Sequence, residues 1–218
     1  MDSFSDSRLV RRKRYAVRRR LLVCGIALSL ILAITAAVLI VHLSHRSSAV
    51  DRLRDVEIPD WITQDLIRIG GPSRRGFALT DFNDVVIHYV GNPATTAQQN
   101  RNWFDNPQSQ VSSHFVVGLD GEIIQCLPLY ELSAASNQRN PDTISIEVCH
   151  PDDSGKFTDE TYDAVVKLTA WLLDVGGLDD DRVIRHHDVT GKECPRYYVR
   201  NPDAWDMLRA DIATYRNK

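Results

Sequence analysis

Internal repeats and low-complexity stretches are absent from these 218 residues, so neither a solenoid nor a biased, disordered tract organises the chain. Positive charge is scarce beyond the first 20 residues. Residues 1–20 carry eight Lys/Arg against two Asp, and the rest of the chain nets −9 although the whole nets only −3. An acidic remainder argues against nucleic acid as a partner. Between residues 21 and 43 charge is missing altogether, apart from what His42 can carry. Cysteine is rare, at four residues. Cys24 opens the apolar run rather than closing it, which is not where a lipid-modified cysteine stands.

The run 21–43, LLVCGIALSLILAITAAVLIVHL, is long enough to cross a bilayer as a helix. RRKRYAVRRR precedes it, and the following flank is nearly balanced in charge. The positive-inside rule then expects a cytoplasmic tail (1–20), a transmembrane signal-anchor helix (21–43) and an extracytoplasmic remainder, anchored to the cell membrane as a single-pass protein. A cleaved signal peptide is the alternative. Its apolar region would be only ~7–15 residues, although Ser47, Ser48 and Ala49 supply small residues suited to cleavage. Residues 44–60 are polar, lack periodicity and read as a tether. Residues 61–218 hold enough aliphatic and aromatic side chains to close one core.

Within that part, DVVIHYV (84–90) and TISIEVC (143–149) read as strands. HFVVGL, Asp120-Gly121 and EIIQCL read as a β-hairpin through the Asp-Gly turn. Thr95 or Thr96 is placed to cap a helix carrying Trp103 and Phe104. Thr158 precedes a helix on which Tyr162, Val165, Val166, Thr169, Leu172 and Leu173 recur at helical spacing, and Gly176-Gly177 ends it. RVIRH (182–186) reads as a last strand, and Asn201-Pro202 opens a helix with Trp205, Leu208, Ile212 and Tyr215. Strands interleaved with helices, plus one hairpin, predict an α/β domain with a central mixed sheet flanked by helices.

His88 stands inside an apolar strand, where a histidine is usually a satisfied core or surface residue. The segment RHHDVTGKECP (185–195) adds two histidines and Cys194. His and Cys thiolate are ligands that Zn²⁺ prefers, and three protein ligands leave a fourth position for chemistry. Spacing alone leaves chance His/Cys loops open, and leaves His186 and His187 as rivals.

VVIHYVGNP, SSHFVVGLDGEIIQCLP, TISIEVCH and RHHDVTGKECP, in that order and separation, resemble the zinc-dependent N-acetylmuramoyl-L-alanine amidases, whose fold is shared by peptidoglycan recognition proteins and a phage lysozyme-type amidase. The resemblance covers about 84–200. It implies a mixed sheet with helices around it and one Zn²⁺ in a surface groove. It also implies hydrolysis of the amide between N-acetylmuramic acid and L-alanine in bacterial peptidoglycan. By matched position it assigns the metal to His88, His186 and Cys194, preferring His186 over His187. His114 and His150 match no ligand and read as hydrogen-bonded or surface residues. One branch of the family uses a tyrosine before the hairpin histidine, where this chain has Ser113. Another uses a glutamate in the following strand, matched here by Glu147, the expected general base. The apolar neighbours Ile144, Ile146 and Val148 make a charge at Glu147 costly without a partner. Lys192 matches a lysine that steadies the developing oxyanion. Cys126 and Cys149 are either a disulfide, which an extracytoplasmic setting permits, or two buried thiols. A peptidoglycan-binding module without catalysis, or an endopeptidase of the stem peptide on the same scaffold, remain the alternatives. Filled ligand positions favour the enzyme.

Overall fold

The computed structural model describes residues 3–218, with side chains described for 21–41 and 50–218. The side chains of the basic run within 1–20 and of Ser47–Ala49 lie outside that set. Two compact units follow, Met1–His45 and Arg46–Lys218.

In the first unit the backbone is part of helix α1, Ser3–Arg54. Its stretch Leu21–Val41 has a mean hydropathy of 2.7 and no buried residue. At 1.5 Å per residue those 21 residues extend about 31 Å, the thickness of a bilayer's hydrocarbon core. The polar groups inside it are spent locally. Ser29 Oγ donates to Gly25 O and Thr35 Oγ1 to Leu32 O, each at 2.9 Å.

The second unit is built on a six-stranded sheet. Its strands are β1 (Thr63–Gln64), β2 (Asp84–Tyr89), β3 (Phe115–Val117), β4 (Ile123–Gln125), β5 (Thr143–Val148) and β6 (Val183–Arg185). Their spatial order is β1-β4-β3-β5-β2-β6. Every neighbouring pair is parallel except the β3/β4 hairpin, so the expected mixed sheet is present. The hairpin loop is Leu119-Asp120-Gly121, closed by Gly118 N–H donating to Glu122 O at 2.8 Å. Gly121 has φ +79° and lies against the backbone of Glu160. A side chain there would meet both the left-handed backbone penalty and that carbonyl.

Residues alternate between the two sheet faces, and this alternation positions the site. Val85 and Ile87 of β2, Phe115 and Val117 of β3, and Ile144, Ile146 and Val148 of β5 point into the larger core. There they meet α3 (Asp159–Gly176) and, after the short α5 (Arg196–Arg200), α6 (Pro202–Arg216); α3 and α6 bury Val165, Leu168, Leu172, Trp205, Leu208 and Ile212. Thr158 caps α3 by accepting Thr161 N–H, and Gly177, at φ +63°, ends it. The opposite face carries a smaller core under α2 (Ala97–Phe104), formed by Ile67, Ala97, Phe104, Val116, Ile124, Cys126, Leu127 and Cys149. Thr96 closes α2 with a capping box to Gln99. Cys126 and Cys149 are buried free thiols.

Two sequence expectations change. The stretch read as a tether is helical as far as Arg54, and Val50 and Leu53 are buried in the larger core. The run read as strand through His186 ends one residue earlier. Helix α4, His186–Thr190, begins there because Asp188 turns back to accept Arg185 N–H at 2.8 Å and pairs with the Arg185 guanidinium.

Candidate metal centre

His88 is the fifth residue of β2, on the face opposite Val85 and Ile87, and is almost fully buried. Its register partner across the parallel β2/β5 pair is Glu147. On the other side Ile87 is paired with Arg185 of β6, so the next residue, His186, arrives beside His88. The two imidazoles lie 4.5 Å apart between centroids. Cys194 closes the triangle, with Sγ 3.9 Å from His88 Nδ1. One ligating atom from each of His88, His186 and Cys194 fits within 4.8 Å of the others. The segment carrying Cys194 hooks back onto α4 through His187 N–H donating to Cys194 O at 2.9 Å. His187 itself turns away, its Nδ1 3.0 Å from the carbonyl of Lys192. The structure thus brings His186 to the cluster and leaves its rival out.

Glu147 stands next to this cluster. Oε1 is 3.9 Å from His88 Nδ1, and Oε2 is buried with no partner. The apolar neighbours Ile144, Ile146 and Val148 point to the other face, so Glu147 shares its surroundings with His88 rather than with them. Burial raises its pKa to about 8, against the opposing pull of the Lys192 ammonium. Burial likewise pushes the Cys194 thiol up to about 12. His88 is held well below its usual value of 6.5 by burial and then by the charges of His186 and Lys192, and His186 is lowered by burial and Lys192. Both shifts favour the neutral ring, the form that binds metal.

Together these groups line a groove of about 690 Å³, walled by Phe104, Gln110, Val111 and Asn140. Lys192, exposed on the loop, also lines it. The donor set fits zinc. Ligand bonds of about 2.0–2.3 Å place tetrahedral ligand atoms about 3.5 Å apart, close to the 3.9 Å between Cys194 Sγ and His88 Nδ1. A buried carboxylate oxygen without a partner is a group that a neighbouring cation compensates.

The remaining expectations resolve by position. Ser113 does not face the groove. Its Oγ lies against the carbonyls of Phe115 and Ser145 and accepts Glu147 N–H at 3.2 Å. His114 and His150 are buried away from the cluster. His114 bonds to Glu131 and Ser145, and His150 Nδ1 lies 2.7 Å from Asp152 O. Sequence reading missed Ser136 and Asn137, whose side chains touch the outer nitrogens of His88 and His186. Only their membership of a turn-rich run, SNQRNP, marks them in the sequence.

Known proteins are similar to this chain in sequence and fold. XlyA of Bacillus subtilis, an N-acetylmuramoyl-L-alanine amidase, is 33% identical over 157 residues, covering 69% of this chain and 50% of its own length. BlyA of the same species, which bears the same activity name, is 31% identical over 160 residues, covering 64% and 43%. The chain thus spans about half the length of these curated relatives. The solved catalytic domain of XlyA superposes with a TM-score of 0.61 at 29% identity, covering 69% of this chain and 98% of that one. Staphylococcus aureus AmiA, at 20% identity and a TM-score of 0.58, shares the fold. The family model for N-acetylmuramoyl-L-alanine amidase matches residues 79–197, from just before β2 to just past Cys194. That match runs over more than half of the chain and takes in every strand that shapes the groove, and on it the chain belongs to the N-acetylmuramoyl-L-alanine amidase family.

Proposed function

We propose that the chain hydrolyses the amide between N-acetylmuramic acid and L-alanine of bacterial peptidoglycan as a zinc-dependent enzyme. The observation that carries this reading is the convergence of His88, His186 and Cys194 beside the unpartnered Glu147 carboxylate in one groove. Those three residues would hold Zn²⁺. Bound there, the ion supplies Lewis-acid polarisation of an amide carbonyl and makes water more acidic. Glu147 takes a proton from the attacking water at its carboxylate and returns it to the nitrogen of the departing L-alanine. Lys192, exposed at the groove, sets its positive charge toward the oxygen on which negative charge develops.

The helix containing Leu21–Val41 serves as a membrane anchor in this reading, with its basic flank in the cytoplasm and residues 44–218 facing the cell wall. Protease added to intact protoplasts should then remove the folded unit and spare the N-terminal tail. Protection of the folded unit would reverse the topology.

Digestion of purified peptidoglycan, followed by mass analysis, tests the activity. Stem peptides beginning with L-alanine should be released from intact glycan, and a chelator should stop the release until zinc is restored. Cleavage inside the stem would make the enzyme an endopeptidase. Binding without any cleavage would make the domain a recognition module.

A further inference from the structure

One loop grips both histidines of the candidate centre from behind. His88 comes from β2 and His186 from the start of α4, yet their outer nitrogens end on consecutive residues. His88 Nε2 is 3.2 Å from Ser136 Oγ, and His186 Nε2 is 3.1 Å from Asn137 Oδ1. Ser136 is fully buried.

The loop is itself held. Asn140 Oδ1 accepts the N–H groups of Ala135, at 3.1 Å, and Ser136, at 2.6 Å. Gln138 Nε2 donates to Val189 O at 3.1 Å, which ties the loop to the helix that carries His186. Asn137 adopts φ +53°, a left-handed conformation that asparagine tolerates better than most side chains. Placing its amide on His186 therefore requires a backbone few residues accept.

We propose that Ser136 and Asn137 are positioning residues for the metal, an inference that rests on the zinc reading above. Each accepts the Nε2–H of one histidine. This fixes the tautomer and ring rotation and leaves Nδ1 as the nitrogen turned inward. For His88 the assignment has independent support, because Nδ1 is the atom nearest both Cys194 Sγ and Glu147 Oε1. A histidine that binds metal commonly donates its other N–H to an acceptor, and removing such a partner weakens metal binding by about 10–100-fold. Neither residue is among the three candidate ligands, although Asn137 also lines the groove. Their effect passes through the rings.

The test uses the full chain in detergent, stripped of metal and titrated with zinc against a competing chromophoric chelator. Cobalt loading reports ligand geometry in parallel. Asn137→Gly retains access to the left-handed backbone and loses the acceptor, whereas Asn137→Asp retains both. Ser136→Ala removes the other acceptor. Zinc affinity should fall about 10–100-fold in Asn137→Gly and in Ser136→Ala, with an altered visible spectrum of the cobalt form. Asn137→Asp should stay within a few fold of the parent. A loop with only a structural role would lower thermal stability and leave affinity and spectrum alone. Parent-like zinc affinity and cobalt spectra in both Asn137→Gly and Ser136→Ala overturn the clamp while leaving the zinc reading intact. If the unaltered chain binds no zinc, both readings fall together.

Discussion

Acid should destabilise this fold through His114, and the size of the effect follows from the partners of its ring. His114 is fully buried just before β3. Nε2–H donates to Glu131 O at 2.8 Å, and Nδ1 accepts Ser145 N–H at 3.1 Å. A second proton would have to sit on Nδ1, against that N–H donor and beside Ser145 Oγ at 3.2 Å. Burial lowers the pKa to about 4 from an ordinary 6.5, and the Glu131 carbonyl opposes only part of the shift. Above pH 6.5 the ring is neutral whether the chain is folded or not. Below 6.5 the unfolded chain takes up a proton that the fold refuses, so stability is lost as pH falls and the loss levels off below 4. The whole shift is worth about 3 kcal/mol, of which about 2 kcal/mol is lost between pH 7 and pH 5. Urea unfolding at those two pH values, on metal-free protein, gives the measurement. His114→Gln cannot titrate there, so although weaker at both pH values it should lose about 2 kcal/mol less than the parent. Contributions from His88 and His186 cancel in that difference. Equal losses in parent and variant would refute the linkage.

Three further outcomes are expected. Glu147→Gln should lower turnover by ~10²-fold or more and leave zinc content unchanged; near-full activity would remove Glu147 as the base. Ser113→Ala removes the hydroxyl that accepts Glu147 N–H. It should cost about 0.5–1.5 kcal/mol of stability in urea unfolding, and a cost near zero would show that the bond contributes nothing. Leu53 is buried in the larger core, so Leu53→Ala should cost about 2–5 kcal/mol. An unchanged unfolding midpoint would return residues 50–54 to the role of a tether.

What could be read in advance was what is written locally. The apolar runs of β2 and β5, the Asp-Gly turn, Thr96 and Thr158 as caps and Gly177 as a stop are all signals within a few residues, and each element stands where its signal stood. Strand β1 is two residues long with both side chains exposed, and so carries no pattern. Val50 and Leu53 are two apolar residues three apart, too short a run to show a helical face before the core is present to cover it. At Glu147 the neighbours along the chain gave the wrong surroundings, because in a strand they belong to the opposite face. Ser136 and Asn137 were invisible for another reason. Their partners lie 48 and 49 residues away in sequence, and no spacing rule links a turn-rich loop to two histidines across that distance.

The centre depends on sheet register more than on any motif. His88, Glu147 and His186 form a row across β5, β2 and the end of β6 because the register pairs His88 with Glu147 and Ile87 with Arg185. A slip of one residue in β2 would swing His88 into the larger core and send Ile87 or Tyr89 toward the groove. The same slip would force Val85 and Ile87 out of contact with α3 and α6, so the packing that excludes water from one face also fixes the chemistry on the other. Cys194 and Lys192 lie outside the strands, and Cys194 meets the sheet through the backbone N–H of Tyr89 at the end of β2. They arrive on the loop that follows α4, and the bond from His187 N–H to Cys194 O ties that loop to the helix holding His186. The tandem His186-His187 therefore divides its work: the first ring turns to the cluster, while the second residue, by backbone and ring together, holds the 192–194 loop in reach of it.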